Sequence, residues 1–542
     1  MDSDAMAETN GEPAWLTKAL RKRKIQAAAL QPYLAQEAGP ADETITAIAC
    51  VETLAGRVAD GDFTAYDVVS AYVRKAAAAH QKTNCLTEIM FDDALQRARE
   101  LDEHYVKHKT PIGPLHGVVM TLKDQFNVKG YDTTLGYVGR TFQPADTDAV
   151  VVTLLKDMGV IFIAKTNLPQ SIMWCETDNP LWGLTTNPLN PAFTPGGSTG
   201  GEGALLAQHG SMVGWGTDIG GSVRIPSHMA GLYALKPSLK SGRIPYLGTP
   251  VSTEGQEHVP SAVGPMTRSL SSLRLVTKAV IDAAPWKLDP QVHPLPWREE
   301  AYREVQSRPL VIGLLIDDGI VKVHPPIERV LRDVAAKLQK AGHEVIQWDG
   351  SLHFDCIQTM DSYYSADGGE DIRRDMSVDG EPYIPHVAAL VDRGPAISVY
   401  EYWQLHRAKR AAQKAYLDKW QRLRSEKSGR EADVLLTPTM PHSAVPHRSC
   451  RWVGYTKVWN LLDYTACVLP VGSVDKTVDL AASEPSVEGY VARNETDKWN
   501  WALYNPETLH GMPLSVQLVG RRLEEEKVLG AAEVVERVLS EC

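Results

Sequence analysis

The sequence has no cysteine framework to hold it together. Its seven cysteines, Cys50, Cys85, Cys175, Cys356, Cys450, Cys467 and Cys542, are odd in number and scattered, with no C-x-x-C pair and no histidine and cysteine cluster at zinc spacing. They read as reduced thiols, and no metal is expected. No uninterrupted apolar run approaches the ~18 residues of a membrane helix, so no integral membrane segment is expected. The opening MDSDAMAETNGEP is too acidic and polar for a secretory signal. A basic surplus is also lacking: 56 Lys and Arg stand against 67 Asp and Glu, a formal net charge of -11. That balance argues against a nucleic-acid partner, which would leave a basic footprint. A cytoplasmic protein acting on a neutral or small polar molecule is expected.

What is present is ordinary for a globular chain: 542 residues, 43% hydrophobic and 23% charged, enough to bury a large core. The length prior of three or four domains is soft for large α/β enzymes, and one large domain fits as well. Residues 1–40 read as a helix-compatible N-terminal extension whose basic stretch, Lys18 to Lys24, is expected to be a solvated helix face. From Ile45 to His108 apolar residues recur at three- and four-residue steps, the helical period. Beyond them, short apolar runs (HGVVMTLK, VIFIAKTN, LVIGLLIDDG, HEVIQW, ADVLLTPTM, ACVLPVG) alternate with helical stretches such as PIERVLRDVAAKLQKAG. This alternation predicts an α/β fold with helices on both faces of a sheet. The range from about 280 to 450, richer in Trp, Tyr, Pro and charge, is expected to be a peripheral subregion containing a long helix at YEYWQLHRAKRAAQKAYLDKWQRLR.

The densest chemical signal is glycine-rich. Gly196-Gly197-Ser198-Thr199-Gly200-Gly201-Glu202 is followed by Gly216-Thr217-Asp218-Ile219-Gly220-Gly221-Ser222-Val223-Arg224. Glycine allows positive φ and close approach of backbone N–H groups to a ligand, as an anion-stabilising loop requires. Plain tight turns are one reading of these clusters. A phosphate loop is another, but it needs Lys-Ser/Thr after its last glycine, and Glu202 stands there with a charge that would repel phosphate. A third is the nucleophile elbow G-x-S-x-G centred on Ser198, although the proline-rich NPLNPAFTP before it cannot supply the entering strand.

The block GGSTGGEGALLA…GWGTDIGGSVRIPSHMAGLYALKPS, together with GPLHGVVMTLKDQFNVKGYDTTLG, resembles the two signature motifs of the amidase signature family. LTPTMPHSAVPH, NLLDYTACVLPV and HGMPLSVQLVGRR extend the resemblance, toward the fungal acetamidase branch, over roughly residues 50 to 540. It implies an α/β amidase-signature fold, a mixed twisted central sheet covered by helices on both faces, with residues 41–542 as one catalytic domain. It also implies an amidase with a Ser-Ser-Lys triad. Ser222 takes the place of the nucleophile, Ser198, after a cis peptide bond from Gly197, that of the relay, and Lys123 that of the base. Thr199 replaces the second serine of the family's GGSSGG motif, keeping a hydroxyl and adding a methyl. Ile172, Met173 and Trp174 align with residues of the acyl pocket, Thr217 with substrate-binding positions, and a homodimer is expected.

The chemistry explains why such residues are needed. A serine hydroxyl is a weak nucleophile and must lose its proton as it attacks. Lys123 ends the apolar run Val118 to Leu122, and burial there disfavours the ammonium form and so makes the amine usable as a base. The backbone N–H groups of Ile219, Gly220, Gly221 and Ser222 are the candidate oxyanion donors, and Asp218 and Arg224 are placed to pair and fix their loop. No cofactor is required. Competing readings are an esterase using Ser198 with His209 or His442, a glutamine-dependent amidotransferase subunit with a partner, and a non-catalytic scaffold. The substrate expected is a small-molecule amide of unspecified acyl group.

Overall fold

A computed structural model describes residues 12–36, 39–239, 242–479 and 490–541. Its centre is one sheet of eleven strands: β1 (Leu86–Ile89), β2 (Val119–Lys123), β3 (Ile161–Thr166), β4 (Val213–Asp218), β5 (Tyr233–Lys236), β6 (Ala262–Thr267), β7 (Val311–Leu314), β8 (Glu344–Gln347), β9 (Val434–Pro438), β10 (Ala466–Ser473) and β11 (Pro513–Val519). They lie in the order β1-β3-β2-β4-β6-β5-β10-β11-β9-β7-β8. The sheet is mixed. β2 runs parallel to both β3 and β4, and β7 parallel to β8 and β9, while β10 and β11 pair antiparallel.

Strand periodicity sorts side chains to two faces. In β9, Val434 and Leu436 join one apolar cluster and Leu435 joins another with Trp420 and Trp459. Helices cover both. Pro325–Lys340 does so with Ile327, Val330, Leu331, Val334 and Leu338 buried, the stripe its sequence predicts. The expected runs become β2, β3, β7, β8, β9 and β10, and the long helix is Val399–Arg422. No helix among the described residues is long and apolar enough to cross a membrane.

Two expectations need correction. The range 280 to 450 is not wholly peripheral, since it supplies β7, β8 and β9 to one edge of the sheet. Nor is the basic stretch near the N-terminus, within helix Ala14–Leu34, wholly a solvated face, although Arg21 and Lys24 are exposed. Lys22 is buried against Glu88 at 2.6 Å and Asp132 at 2.7 Å, and Arg23 donates to the carbonyls of Leu181 and Pro180, both at 2.6 Å. Carboxylates and carbonyls from distant segments supply these partners, and the helix docks through its charge. Residues 1–11 of the expected extension lie outside the described residues.

Candidate active site

Every side chain of β2 is buried, and the strand delivers Lys123 to the sheet interior with no exposure. Its Nζ donates to Ser198 Oγ at 2.7 Å and to Thr217 Oγ1 at 2.9 Å. Thr217, on the adjacent β4, donates its own hydroxyl hydrogen bond to Gln125 Oε1 at 2.6 Å. Burial pulls the Lys123 amine down to about 7, against the opposing pull of Asp218 and Asp124. An amine that is half neutral near pH 7 can accept a proton there.

Ser198 enters from the other glycine loop. The Gly197–Ser198 peptide is cis. A Cβ on Gly197 would lie 2.5 Å from the carbonyl oxygen of Glu176, so glycine is required there by close packing. Thr199 donates its backbone N–H to the carbonyl of Ser222 at 3.1 Å, which ties the two loops together. Its hydroxyl reaches Thr217 O only at 3.5 Å, a weak contact, and its methyl fills the space left by Gly216.

The loop Ile219–Ser222 connects β4 to helix Arg224–Ala230, with Ile219 and Ser222 half-buried and the glycines between them buried. Gly221 has φ +132°, and a Cβ there would meet Thr456 Oγ1 at 2.4 Å, so any larger residue is excluded on two grounds. Outward carbonyls are held: Gly220 O accepts from Thr456 Oγ1 at 2.6 Å and Ile219 O from Tyr364 Oη at 3.4 Å. The expectation of four open donors is corrected to three. Gly221 N–H donates to Asp218 Oδ1 at 2.8 Å, whereas those of Ile219, Gly220 and Ser222 meet no protein acceptor among the described residues.

Asp218 and Arg224 form no ordinary surface pair. Both are fully buried, and Asn460 Nδ2 adds a third contact to Asp218 Oδ1 at 3.0 Å. Burial alone would raise the Asp218 pKa, but the Arg224 charge and hydrogen bonds hold it well below the usual carboxylate range. Arg224 also donates to Thr456 O at 3.0 Å and Gln517 Oε1 at 3.2 Å. Thr456, Asn460 and Gln517 escape sequence reasoning because they lie more than 200 positions away.

Glu202 also needs revision. It turns into the core, where it accepts from Thr121 Oγ1 at 2.6 Å and Thr166 Oγ1 at 3.0 Å, and burial lifts its carboxyl to about 8. Burial thus favours its neutral form, and with no exposure it presents no charge to a ligand.

Ser222 opens on a cavity of about 620 Å³ that Ile172, Met173 and Trp174 also line. A much smaller adjoining space is bordered by Ser198, Thr217 and Ser222 together, with Ile172 and Met173 at the junction. Ser198 and Ser222 thus share a wall without a hydrogen bond between them. Ser171 and Ile172 hold φ of +63° and +57°, a left-handed pair unusual for a β-branched residue, and the turn they make presents Ile172 to both spaces. Trp174 stacks on His386 with ring centroids 4.1 Å apart. Neither His209 nor His442 borders either space, so the esterase arrangement is not assembled. Among the described residues no group of three or more His, Cys, Asp or Glu is placed to hold a metal ion.

Comparison with known proteins gives a consistent answer. The model of the Amidase family matches residues 67–529. "Amidase 1" of Gibberella moniliformis is 55% identical over 97% of this chain and 99% of its own length. An acetamidase of Emericella nidulans is 43% identical over 90% of this chain and 88% of its own. Among solved structures, a fatty acid amide hydrolase superposes with a TM-score of 0.88 at 30% identity, covering 97% of this chain and 95% of that one.

Proposed function

The chain belongs to the amidase family and is a hydrolase of amides, and from that premise we propose how its residues divide the reaction. Ser222 attacks the amide carbonyl, its proton passes to Ser198, and the Ser198 proton passes to the neutral amine of Lys123. The N–H groups of Ile219, Gly220 and Ser222 stabilise the oxyanion, each contributing about 3 kcal/mol in sites of this kind. On collapse the C–N bond breaks and the relayed proton returns through Ser198 to the nitrogen, which leaves as ammonia or an amine. Water then attacks the Ser222 ester and gives its proton to the same relay, which returns it to Ser222 Oγ as the ester C–O bond breaks and the carboxylic acid leaves.

The observation that carries this reading is the 2.7 Å hydrogen bond between Lys123 and Ser198, buried behind the space that Ser198 shares with Ser222. Ile172, Met173 and Trp174 form the acyl wall. Relatives named acetamidase act on a very small acyl group, yet about 620 Å³ falls in the range of pockets for much larger ligands, so longer acyl chains fit here. The test is release of carboxylic acid from a panel of primary amides by wild type and by folded Ser222→Ala. Wild type turns over and the variant falls by at least about 10³-fold. A folded variant of undiminished activity contradicts the reading.

A further inference from the structure

The large cavity beside Ser222 is electrically uneven. Apolar Ile172, Met173 and Leu390 line part of it, but the exposed Arg393, Arg448 and Arg451 and the buried Lys457 also line it, opposed by the single carboxylate of Asp361. This concentration of positive charge occurs in a chain whose net charge is -11. Two of the four cations have local partners. Lys457 is bound to Asp361 at 2.5 Å and Arg448 reaches Asp178 at 3.2 Å. Among the described residues Arg393 and Arg451 meet no carboxylate.

The wall that carries Arg451 is held in place. Glu176 accepts the backbone N–H of Arg448 at 2.5 Å and of Cys450 at 2.9 Å, and Trp452 Nε1 donates to Asp318 at 3.0 Å. The Arg451 guanidinium lies 3.4 Å from the centroid of the Trp499 ring, whose own Nε1 is fixed to Ser449 O at 3.0 Å. A planar guanidinium with one face stacked keeps its edge N–H groups available, and that edge suits a carboxylate. A buildup of one sign at a cavity with apolar walls raises the local concentration of the opposite sign.

We propose that this cavity takes an amide whose acyl chain ends in a carboxylate, the chain lying along Ile172, Met173 and Leu390 and the carboxylate meeting Arg393 and Arg451. The proposal rests on the reading of Ser222 as nucleophile at the inner end of the same cavity. It places the enzyme after a reaction that forms the monoamide of a dicarboxylic acid, and its product is the free dicarboxylate.

Two matched series of primary amides test it. Butanamide, hexanamide and octanamide end in methyl; succinamate, adipamate and suberamate are the same chains ending in carboxylate. The ratio of kcat/KM, carboxylate over methyl, is read for each length at low and at high ionic strength, in wild type and in a folded Arg393→Gln/Arg451→Gln variant. For the best length the ratio in wild type reaches about tenfold or more at low salt, and falls toward unity in high salt and in the double variant. Preference for the methyl series at every length, or a ratio the double variant does not alter, overturns the proposal while leaving the amidase reading intact. No hydrolysis of either series overturns both.

Discussion

The guanidinium of Arg224 holds the carboxylate of Asp218 through two hydrogen bonds, Nε to Oδ2 at 3.0 Å and Nη2 to Oδ1 at 2.9 Å, with neither side chain exposed. The same carboxylate accepts the Gly221 N–H, so the ion pair and the loop that carries Ser222 form one unit. Removing one partner of a buried pair leaves the other charge unpaired, a loss of about 3–5 kcal/mol. Asp218→Ala is therefore expected to lower the unfolding free energy by that order and to remove activity with it, as read from denaturant midpoints and turnover. A variant of unchanged stability contradicts the structural role. Because the folded pKa of Asp218 is depressed, its contribution is present above the unfolded carboxylate value and is lost as pH falls through the folded one.

Glu202 has the opposite sign. Its folded pKa, lifted to about 8 by burial, lies above the unfolded value of about 4.3. The folded protein therefore holds a proton that the unfolded chain releases across that window, and stability declines as pH rises from about 4.3 to about 8. Glu202→Gln removes the titrating group, so the difference in unfolding free energy between variant and wild type should grow in favour of the variant across that window and then level off. Parallel pH profiles for the two proteins contradict this account.

Much of the framework is legible in the sequence, and the reason is local. The run Val118 to Leu122 reads as a buried strand because it is short and almost wholly apolar, and residues 325–340 read as a helix because their apolar residues recur at three and four. What is not legible depends on partners from far along the chain. The side chains of Lys22 and Glu202 look solvent-facing in sequence, and only the carboxylates and hydroxyls brought to them by the fold make burial tolerable. Asn460 and Gln517 complete the surroundings of Arg224 from the C-terminal part of the chain, and no spacing rule connects them. The loss of Gly221 as an open donor likewise follows from the orientation of one carboxylate.

Covalent labelling separates the two serines. A fluorophosphonate probe should form its adduct on Ser222, which opens on the large cavity beside three open N–H donors, and peptide mapping should find none on Ser198, whose hydroxyl accepts from Lys123. An adduct confined to Ser198 contradicts the assignment.

Gly221→Ala tests the loop by steric means. At φ +132° with Thr456 Oγ1 and Ile225 Cδ1 at 2.4 and 2.7 Å from the added Cβ, alanine must displace the loop. Turnover should fall by about 10²-fold or more, the scale of losing an oxyanion donor, with the fold retained by circular dichroism. Wild-type turnover in this variant contradicts the rigidity of the donor loop.

The pH dependence of kcat in wild type and in folded Lys123→Arg decides whether Lys123 works as a neutral base. For a neutral base, wild-type kcat rises through about pH 7, where burial places the Lys123 amine, and levels off above it. A guanidinium cannot deprotonate in this range, so Lys123→Arg should lose about 10²–10⁴-fold, and Lys123→Ala should lose as much. A folded Lys123→Arg enzyme retaining more than about a tenth of wild-type turnover, with the wild-type pH profile, would contradict it.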